Sequence, residues 1–390
     1  MSKNPCLIDT KFGGGSEYGL YFLAKNLAKK GINVHIIANL LENENYVKDG
    51  IYFHNIPIGK NALWRNLKIF NFLYGLNKKY NFNILNLLNA NFAMPILLFA
   101  KMEHVPIIYS EWNHYPWLED KCKINPRIYW LLIKLTLKRS KVVTAASNVL
   151  RKKILDEIKI SESRIKTIPM GMDLTSFQIK KSNFAKEKHG FNEDDPILLS
   201  VARIVPHKGH KDLIEAVAMV REDIPNIKAL LIGPREEKSA FSINDSPSSY
   251  YFQLISLIKE YGLEKNVFFL GTVPREDLSL YYSSSDIFVL PTRKEGFGTV
   301  FIEAMASGLP IITCKIEPMT QVVGEKVGIF IEPSKTKNLA GAIKKILNNK
   351  DLATKMSLNA IERVTRYYSI NVVAEETHKL FLQVLEHLKS

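Results

Sequence analysis

Between Leu290 and Ile312 the chain reads LPTRKEGFGTVFIEAMASGLPII, and few folds accommodate residues in that order. Ile287, Phe288, Val289 and Leu290 form a short apolar run after Asp286, and Pro291 with Thr292 breaks it, as a buried parallel strand ends in a loop. From Thr299 the residues favour a helix. Val300 and Ala304, and Phe301 and Met305, stand four apart on adjoining faces until Gly308 and Pro310 stop it. Ile311 and Ile312 open another strand. The segment therefore predicts strand, loop, helix and strand, with the N–H groups of Gly298, Thr299 and Val300 turned outward at a helix N-terminus, where the backbone dipoles favour an anion. Glu295 in the loop and Glu303 in the second helical turn can border whatever those amides hold, and carboxylates accept sugar hydroxyls well. As an isolated pair, the two glutamates would be solvated residues of an ordinary βαβ unit.

The rest of the chain repeats this alternation. Strand-like runs at 6–9, 34–38, 84–88, 106–110 and 142–145 interleave with helical stretches at 18–30, 64–79, 93–102, 126–139 and 148–158. A second series has strands at 197–202, 229–233 and 267–270 and helices from 212, at 251–261 and at 276–283; helices at 351–368 and 372–388 end the chain. The pattern is that of doubly wound α/β domains, and 390 residues with 46% hydrophobic content suit two of them. The polar, Lys-rich run 180–195 reads as the linker. In the first series the glycine loop is GGGSE rather than a spaced GxGxxG, which argues against a dinucleotide site. In the second, Arg203 and Lys208 share the loop after the first strand. Paired cations there suit a diphosphate, because open α/β sheets bind ligands outside the carboxyl ends of their strands. Without the glutamate motif they would be two solvated surface cations.

Cys6, Cys122 and Cys314 are odd in number and widely spaced, so neither a disulfide framework nor a zinc site is expected, and a reducing cytoplasm fits. The N-terminal residues lack the apolar core of a signal peptide, and no apolar run approaches the ~18 residues needed to cross a bilayer. The net charge of +14 is unevenly spread. Residues 1–200 hold 29 Lys and Arg against 17 Asp and Glu, leaving 24 against 22 for the remainder. That asymmetry suggests an anionic partner for the first half, or serves solubility alone. The stretch 64–79 is both amphipathic and basic, so it can lie on anionic lipid or present its apolar stripe to the core.

The stretch from Leu290 resembles the nucleotide-sugar signature of retaining glycosyltransferases of the GT-B fold (group 1, or family 4, type), in which two glutamates separated by seven residues flank a Gly-Phe-Gly loop. Glu295, Gly296, Phe297, Gly298 and Glu303 match it, as does the trailing AMASGLPII. The likeness spans nearly the whole chain and is strongest over 199–331. It implies two Rossmann-like domains facing across a cleft: 1–179 on the acceptor side, 196–368 binding the nucleotide sugar, and a last helix, 369–390, crossing back to the first domain. It further implies that Glu295 orients sugar hydroxyls and Glu303 holds the ribose. Arg203 and Lys208, with the amides of Gly298, Thr299 and Val300, would stabilise the diphosphate leaving group, and Gly14 and Gly15 would lend N–H groups from the first domain. The resembling proteins carry a His at the end of a first-domain strand; here YSEWNHYPW puts Trp112 at that point and His114 two residues later, on the same side of an extended strand, so that either a small register shift restores the match or His114 is a surface-loop histidine.

The resemblance thus implies transfer of a hexosyl unit from a UDP- or GDP-linked sugar, with retention, to a hydroxyl of a glycan or lipid-linked acceptor in cell-surface polysaccharide or glycoconjugate synthesis. His114, Arg203, Lys208 and Glu295 are the candidate catalytic residues. No cofactor beyond the nucleotide-sugar co-substrate is expected, and no metal, since the chain has no Asp-x-Asp. Nor is a nucleic-acid partner, for want of a recognition motif. The protein is expected in the cytoplasm, soluble or peripheral on the inner face of the cell membrane. A sugar-nucleotide epimerase of the same fold, and a non-catalytic nucleotide-sugar or membrane-binding relative, are the rival readings.

Overall fold

The computed structural model describes residues 5–8, 15–38, 45–56, 62–88, 92–112, 126–177, 181–235 and 247–386. The chain divides into two compact units, Leu174–Tyr367 and the remainder, Met1–Asp173 with Tyr368–Ser390. Each is built on its own sheet.

The first unit has strands β1 (Pro5–Ile8), β2 (Val34–Ala38), β3 (Tyr46–Lys48), β4 (Ile51–Asn55), β5 (Ile84–Leu87), β6 (Ile107–Glu111), β7 (Val142–Ala145) and β8 (Ile165–Thr167). They lie in the order β3-β4-β2-β1-β5-β6-β7-β8, and every pairing is parallel except β3 with β4. That hairpin turns through Asp49 and Gly50, both at positive φ (52° and 77°), as a two-residue turn between right-twisted strands requires. Helices α1 (Gly15–Lys29), α2 (Ala62–Tyr80), α3 (Ala93–Met102), α4 (Pro126–Arg139) and α5 (Asn148–Ile158) make the crossovers. On α2, Ile69 and Leu73 are buried one turn apart in a core with Leu85, Phe99, Ile107 and Tyr109, so the inner stripe of this basic helix is core. The last helix, α14 (Ile370–Glu386), packs on α1, and its start is tied to the first unit through Met172, whose N–H donates to the Tyr368 carbonyl (2.9 Å) and whose carbonyl accepts from the Ile370 N–H (2.9 Å).

The second unit has six parallel strands in the order β11-β10-β9-β12-β13-β14. These are β9 (Ile197–Val201), β10 (Lys228–Ile232), β11 (Val267–Gly271), β12 (Ile287–Leu290), β13 (Ile311–Cys314) and β14 (Gly328–Ile331). All residues of β9, β12 and β13 are buried, which is why these strands read as unbroken apolar runs. Helices α7 (His210–Arg221), α8 (Pro247–Glu260), α9 (Arg275–Ser283), α10 (Thr299–Ala306), α11 (Met319–Val323), α12 (Thr336–Leu347) and α13 (Lys350–Tyr367) cover the sheet. The division between units falls after Asp173, not 179. The run expected as a linker belongs to the second unit and carries helix α6 (Phe184–His189), which packs on α9 through Phe184 and His189 against Tyr281. Its polar composition hid three apolar anchors: Phe184 on Tyr281, the buried Ala185, and Phe191 on Phe268. Strands β3, β4, β8 and β14 and helices α6, α11 and α12 were likewise absent from the sequence-based expectation.

Neighbouring strands β2 and β4 bring His35 and His54 together, with Nδ1 of His35 3.0 Å from Nε2 of His54, and both are buried against Tyr80. Burial lowers both from 6.5 to about 4. The folded chain therefore holds them neutral while the unfolded chain protonates them, so their stabilisation is complete above about 6.5 and is lost as pH falls from there towards 4. Urea midpoints should fall between pH 7 and pH 4.5, and His35→Phe should flatten part of that slope. A midpoint insensitive to pH in the wild-type chain would contradict this account.

Candidate active site

The crossover from β9 leads to β10 on one side of the sheet and that from β12 leads to β13 on the other, so the loops after β9 and β12 part at the carboxyl ends of adjacent strands. Such a switch point leaves a crevice that open α/β sheets use for ligands. The first loop passes through one turn of 3-10 helix, Pro206–Lys208, and the second carries residues 291–298. Gly209, at φ +77°, lets the two backbones touch: a Cβ there would stand 2.2 Å from the Pro291 carbonyl oxygen. Beside it the Arg293 N–H donates to the His207 carbonyl (2.7 Å), which also accepts from the Thr292 hydroxyl (3.2 Å).

This contact brings Lys208 and Glu295 together, Nζ to Oε2 at 2.7 Å, with the side chains 11% and 14% exposed. A charge-assisted bond this short between largely buried groups is screened by water less than a surface ion pair, although desolvation offsets part of the gain. Arg203, in the same loop, is exposed. Its backbone is anchored by His210, whose Nε2 lies 3.1 Å from the Arg203 carbonyl; burial drives that ring down to about 4, so it donates as a neutral imidazole. Arg293 bonds both oxygens of Asp212 (3.0 and 2.8 Å), yet burial outweighs the guanidinium and holds Asp212 above the usual carboxylate range.

Gly298 (φ +78°) precedes α10, and a Cβ there would press on Phe301 at 2.7 Å and on Glu295 at 3.2 Å. Phe297 is buried, the Phe301 N–H returns to the Gly298 carbonyl (3.0 Å), and Thr299 and Val300 hold the open donors of the helix start. Gly296 is half-buried and its N–H points back to its neighbour's carboxylate, Glu295 Oε1, at 3.2 Å. Glu303 is 4% exposed and already engaged. Arg275 on α9 donates to its Oε1 (3.3 Å) and the Tyr282 hydroxyl to its Oε2 (3.0 Å). Burial raises Glu303 in spite of both partners, and it pushes the Tyr282 phenol well above its usual value. One lone pair on each carboxylate oxygen remains for another donor.

The structure thus joins Lys208, from the loop after β9, with Glu295, in the loop that leads to the start of α10. Gly15 is the first residue of α1, whereas Gly14 and His114 lie outside the described residues. Trp112, just past β6, is buried. Sequence reasoning missed Arg275, Tyr282, His210 and the Arg293–Asp212 pair. Arg293 stands inside the motif, but its partner is 81 residues earlier, and Arg275 and Tyr282 are 28 and 21 residues before Glu303, distances at which no local pattern signals a contact. Among the described residues no three His, Cys, Asp or Glu come together in a way that could hold a metal ion, and no helix is long and apolar enough to cross a membrane.

Comparison with known proteins gives two family matches that follow one another along the chain: "Glycosyltransferase Family 4" over residues 13–176 and "Glycosyl transferases group 1" over 181–363. N-acetyl-alpha-D-glucosaminyl L-malate synthase of Bacillus anthracis is 24% identical over 390 residues, covering 97% of this chain and 96% of that protein. The capsular polysaccharide biosynthesis glycosyltransferase CapM of Staphylococcus aureus is 27% identical over 259 residues, 65% of this chain and 64% of CapM, so under two thirds of that relative is spanned. Among solved structures, Anabaena HepE in complex with UDP and glucose matches with a TM-score of 0.75 at 17% identity, covering 98% of this chain and 100% of that one; at this identity the likeness speaks for the fold. The two α/β units with parallel sheets are those of GT-B enzymes, and the chain belongs to the group 1 glycosyltransferases.

Proposed function

We propose that the protein moves a hexosyl unit from a UDP- or GDP-linked sugar to a hydroxyl of a glycan or lipid-linked acceptor, with retention at the anomeric carbon and without a divalent metal. The observation that carries this reading is the Lys208–Glu295 pair at the switch point, Glu295 being part of the loop that opens α10. A diphosphate placed there would meet a fixed ammonium, with Arg203 in the same loop and the Thr299 and Val300 amides ahead, a preorganised field for the charge that develops as the anomeric bond breaks. The bond from the anomeric carbon to the leaving phosphate breaks, the acceptor oxygen bonds that carbon on the same face, and the acceptor proton passes to the leaving phosphate. Glu295, released in part from Lys208, would accept sugar hydroxyls, and the spare lone pairs of Glu303 would accept ribose hydroxyls. UDP is favoured because the HepE structure holds it. Gly14 and Gly15 are assigned to the phosphate or acceptor and His114 to the reacting centre, as the resemblance implies. A peripheral seat on an anionic membrane, with acceptors on a lipid carrier, fits the basic balance of residues 1–200. An epimerase is not favoured, since the family is one of transferases.

A thermal-shift panel of UDP-, GDP- and ADP-sugars should single out one nucleotide, and a transfer assay with that donor should then show product. Glu303→Gln is expected to weaken donor binding roughly tenfold to a hundredfold with a smaller change in kcat, and Glu295→Gln to lower kcat by a similar factor with donor affinity largely kept. Equal, small effects of both would refute the assignment.

A further inference from the structure

α3 packs between α2 and α4, and the chain steps in one direction from β4 through β5 and β6 to β7, so right-handed crossovers put the three helices in one layer on one face of the sheet. The solvent side of that layer is unusual in two ways. It is apolar: Met94, Leu98 and Met102, four apart on α3, are 54%, 53% and 54% exposed, and Trp64 (61%) and Leu67 (50%) on α2 and Leu131 (54%) on α4 flank them. The helices are also of one sign, and the carboxylate of Glu103, just past α3, is taken up by the Asn77 amide of α2 (2.8 Å). There are four Lys or Arg on α2, one on α3 and four on α4, and none of the three helices contains an Asp or a Glu. α3 is hydrophobic all round save Lys101, a composition proper to a buried helix, yet its outer stripe faces out.

From this we infer that the α2–α3–α4 face of the first unit seats on an anionic lipid surface, the apolar stripe entering the headgroup region while the surrounding lysines, Lys68 and Lys101 among the exposed ones, meet lipid phosphates. Trp64 suits the interfacial level, where an indole keeps its ring in the apolar layer and its N–H wet. The charge decides between occupants. A second copy of the chain docked by the same face would oppose cations to cations, and a nucleic acid would use the lysines but leave the methionines and leucines in water. The inference names the partner surface for the lipid-linked acceptor of the proposed function, and it rests on that reading only for its purpose.

Flotation of the full chain with vesicles, in about 0.15 M salt, tests it. Binding is expected to vesicles of phosphatidylcholine with roughly a third phosphatidylglycerol and not to phosphatidylcholine alone. Leu98→Glu with Met102→Glu should lower vesicle binding at least tenfold, and Lys68→Gln with Lys101→Gln should move its loss to lower salt. Both pairs lie on the surface, and an unchanged melting temperature would show the fold intact. Failure to float with anionic vesicles, binding indifferent to the Leu98 and Met102 pair, or a dimer broken by that pair in a chain that ignores lipid would each overturn the inference. The thermal shift induced by the nucleotide that the panel singles out should be identical in these variants, so loss of vesicle binding leaves the donor reading standing, and absence of a shift with every nucleotide sugar of the panel in the wild-type chain sinks that reading alone.

Discussion

Lys208→Ala should lower kcat/KM by about a hundredfold to a thousandfold while the chain remains folded, the cost of removing one preorganised charge from a developing oxyanion. The expectation follows from placement. Lys208 is the buried cation of the switch-point loop, and its partner Glu295 is a carboxylate that a diphosphate can relieve in part. Lys208→Arg, which keeps the charge but not its compact shape, should recover only a fraction. On the proposed mechanism, in which fixed groups neutralise the leaving diphosphate, transfer should persist in excess EDTA. If chelation abolishes transfer and magnesium or manganese restores it, the leaving-group account is wrong; if Lys208→Ala turns over at the wild-type rate, Lys208 is structural.

Gly209→Ala is expected to do more damage than its single methyl suggests. Its φ of +77° is a conformation that costs an L side chain about 1 kcal/mol. Beyond that, the new Cβ would stand 2.2 Å from the Pro291 carbonyl oxygen and 2.9 Å from its carbon, atoms of backbone that cannot rotate away. The loops after β9 and β12 must then separate, breaking the 2.7 Å bond from the Arg293 N–H to the His207 carbonyl and pulling Lys208 from Glu295. A loss of roughly 3 kcal/mol or more in urea unfolding, with activity falling further than stability, is the expected result. Gly190 serves as the control: its φ is +67° but a Cβ there meets nothing within 4 Å, so Gly190→Ala should cost only the backbone strain. Equal effects at the two glycines would show that the loop contact does not hold the site together.

Sequence alone determined the alternation of strands and helices, because period and flanking breakers are local. Helices at 93–102, 126–139 and 148–158 and strands at 34–38, 142–145 and 287–290 have the expected ends. It determined the class of fold and the motif around Glu295 for the same reason, since a strand, a glycine loop and a short helix leave a contiguous imprint. The β3–β4 hairpin also leaves a local imprint: Asp49-Gly50 between alternating apolar residues is a turn signal. What only the tertiary structure decided is pairing between distant residues. That Lys208 meets Glu295, that Arg275 and Tyr282 take up Glu303, and that His35 faces His54 depend on strand order and on a glycine thin enough to let two loops touch. Strand order also decided that α3, whose composition reads as core, turns Met94, Leu98 and Met102 outward, because three helices side by side cover a sheet with one face each and leave the other to whatever lies outside.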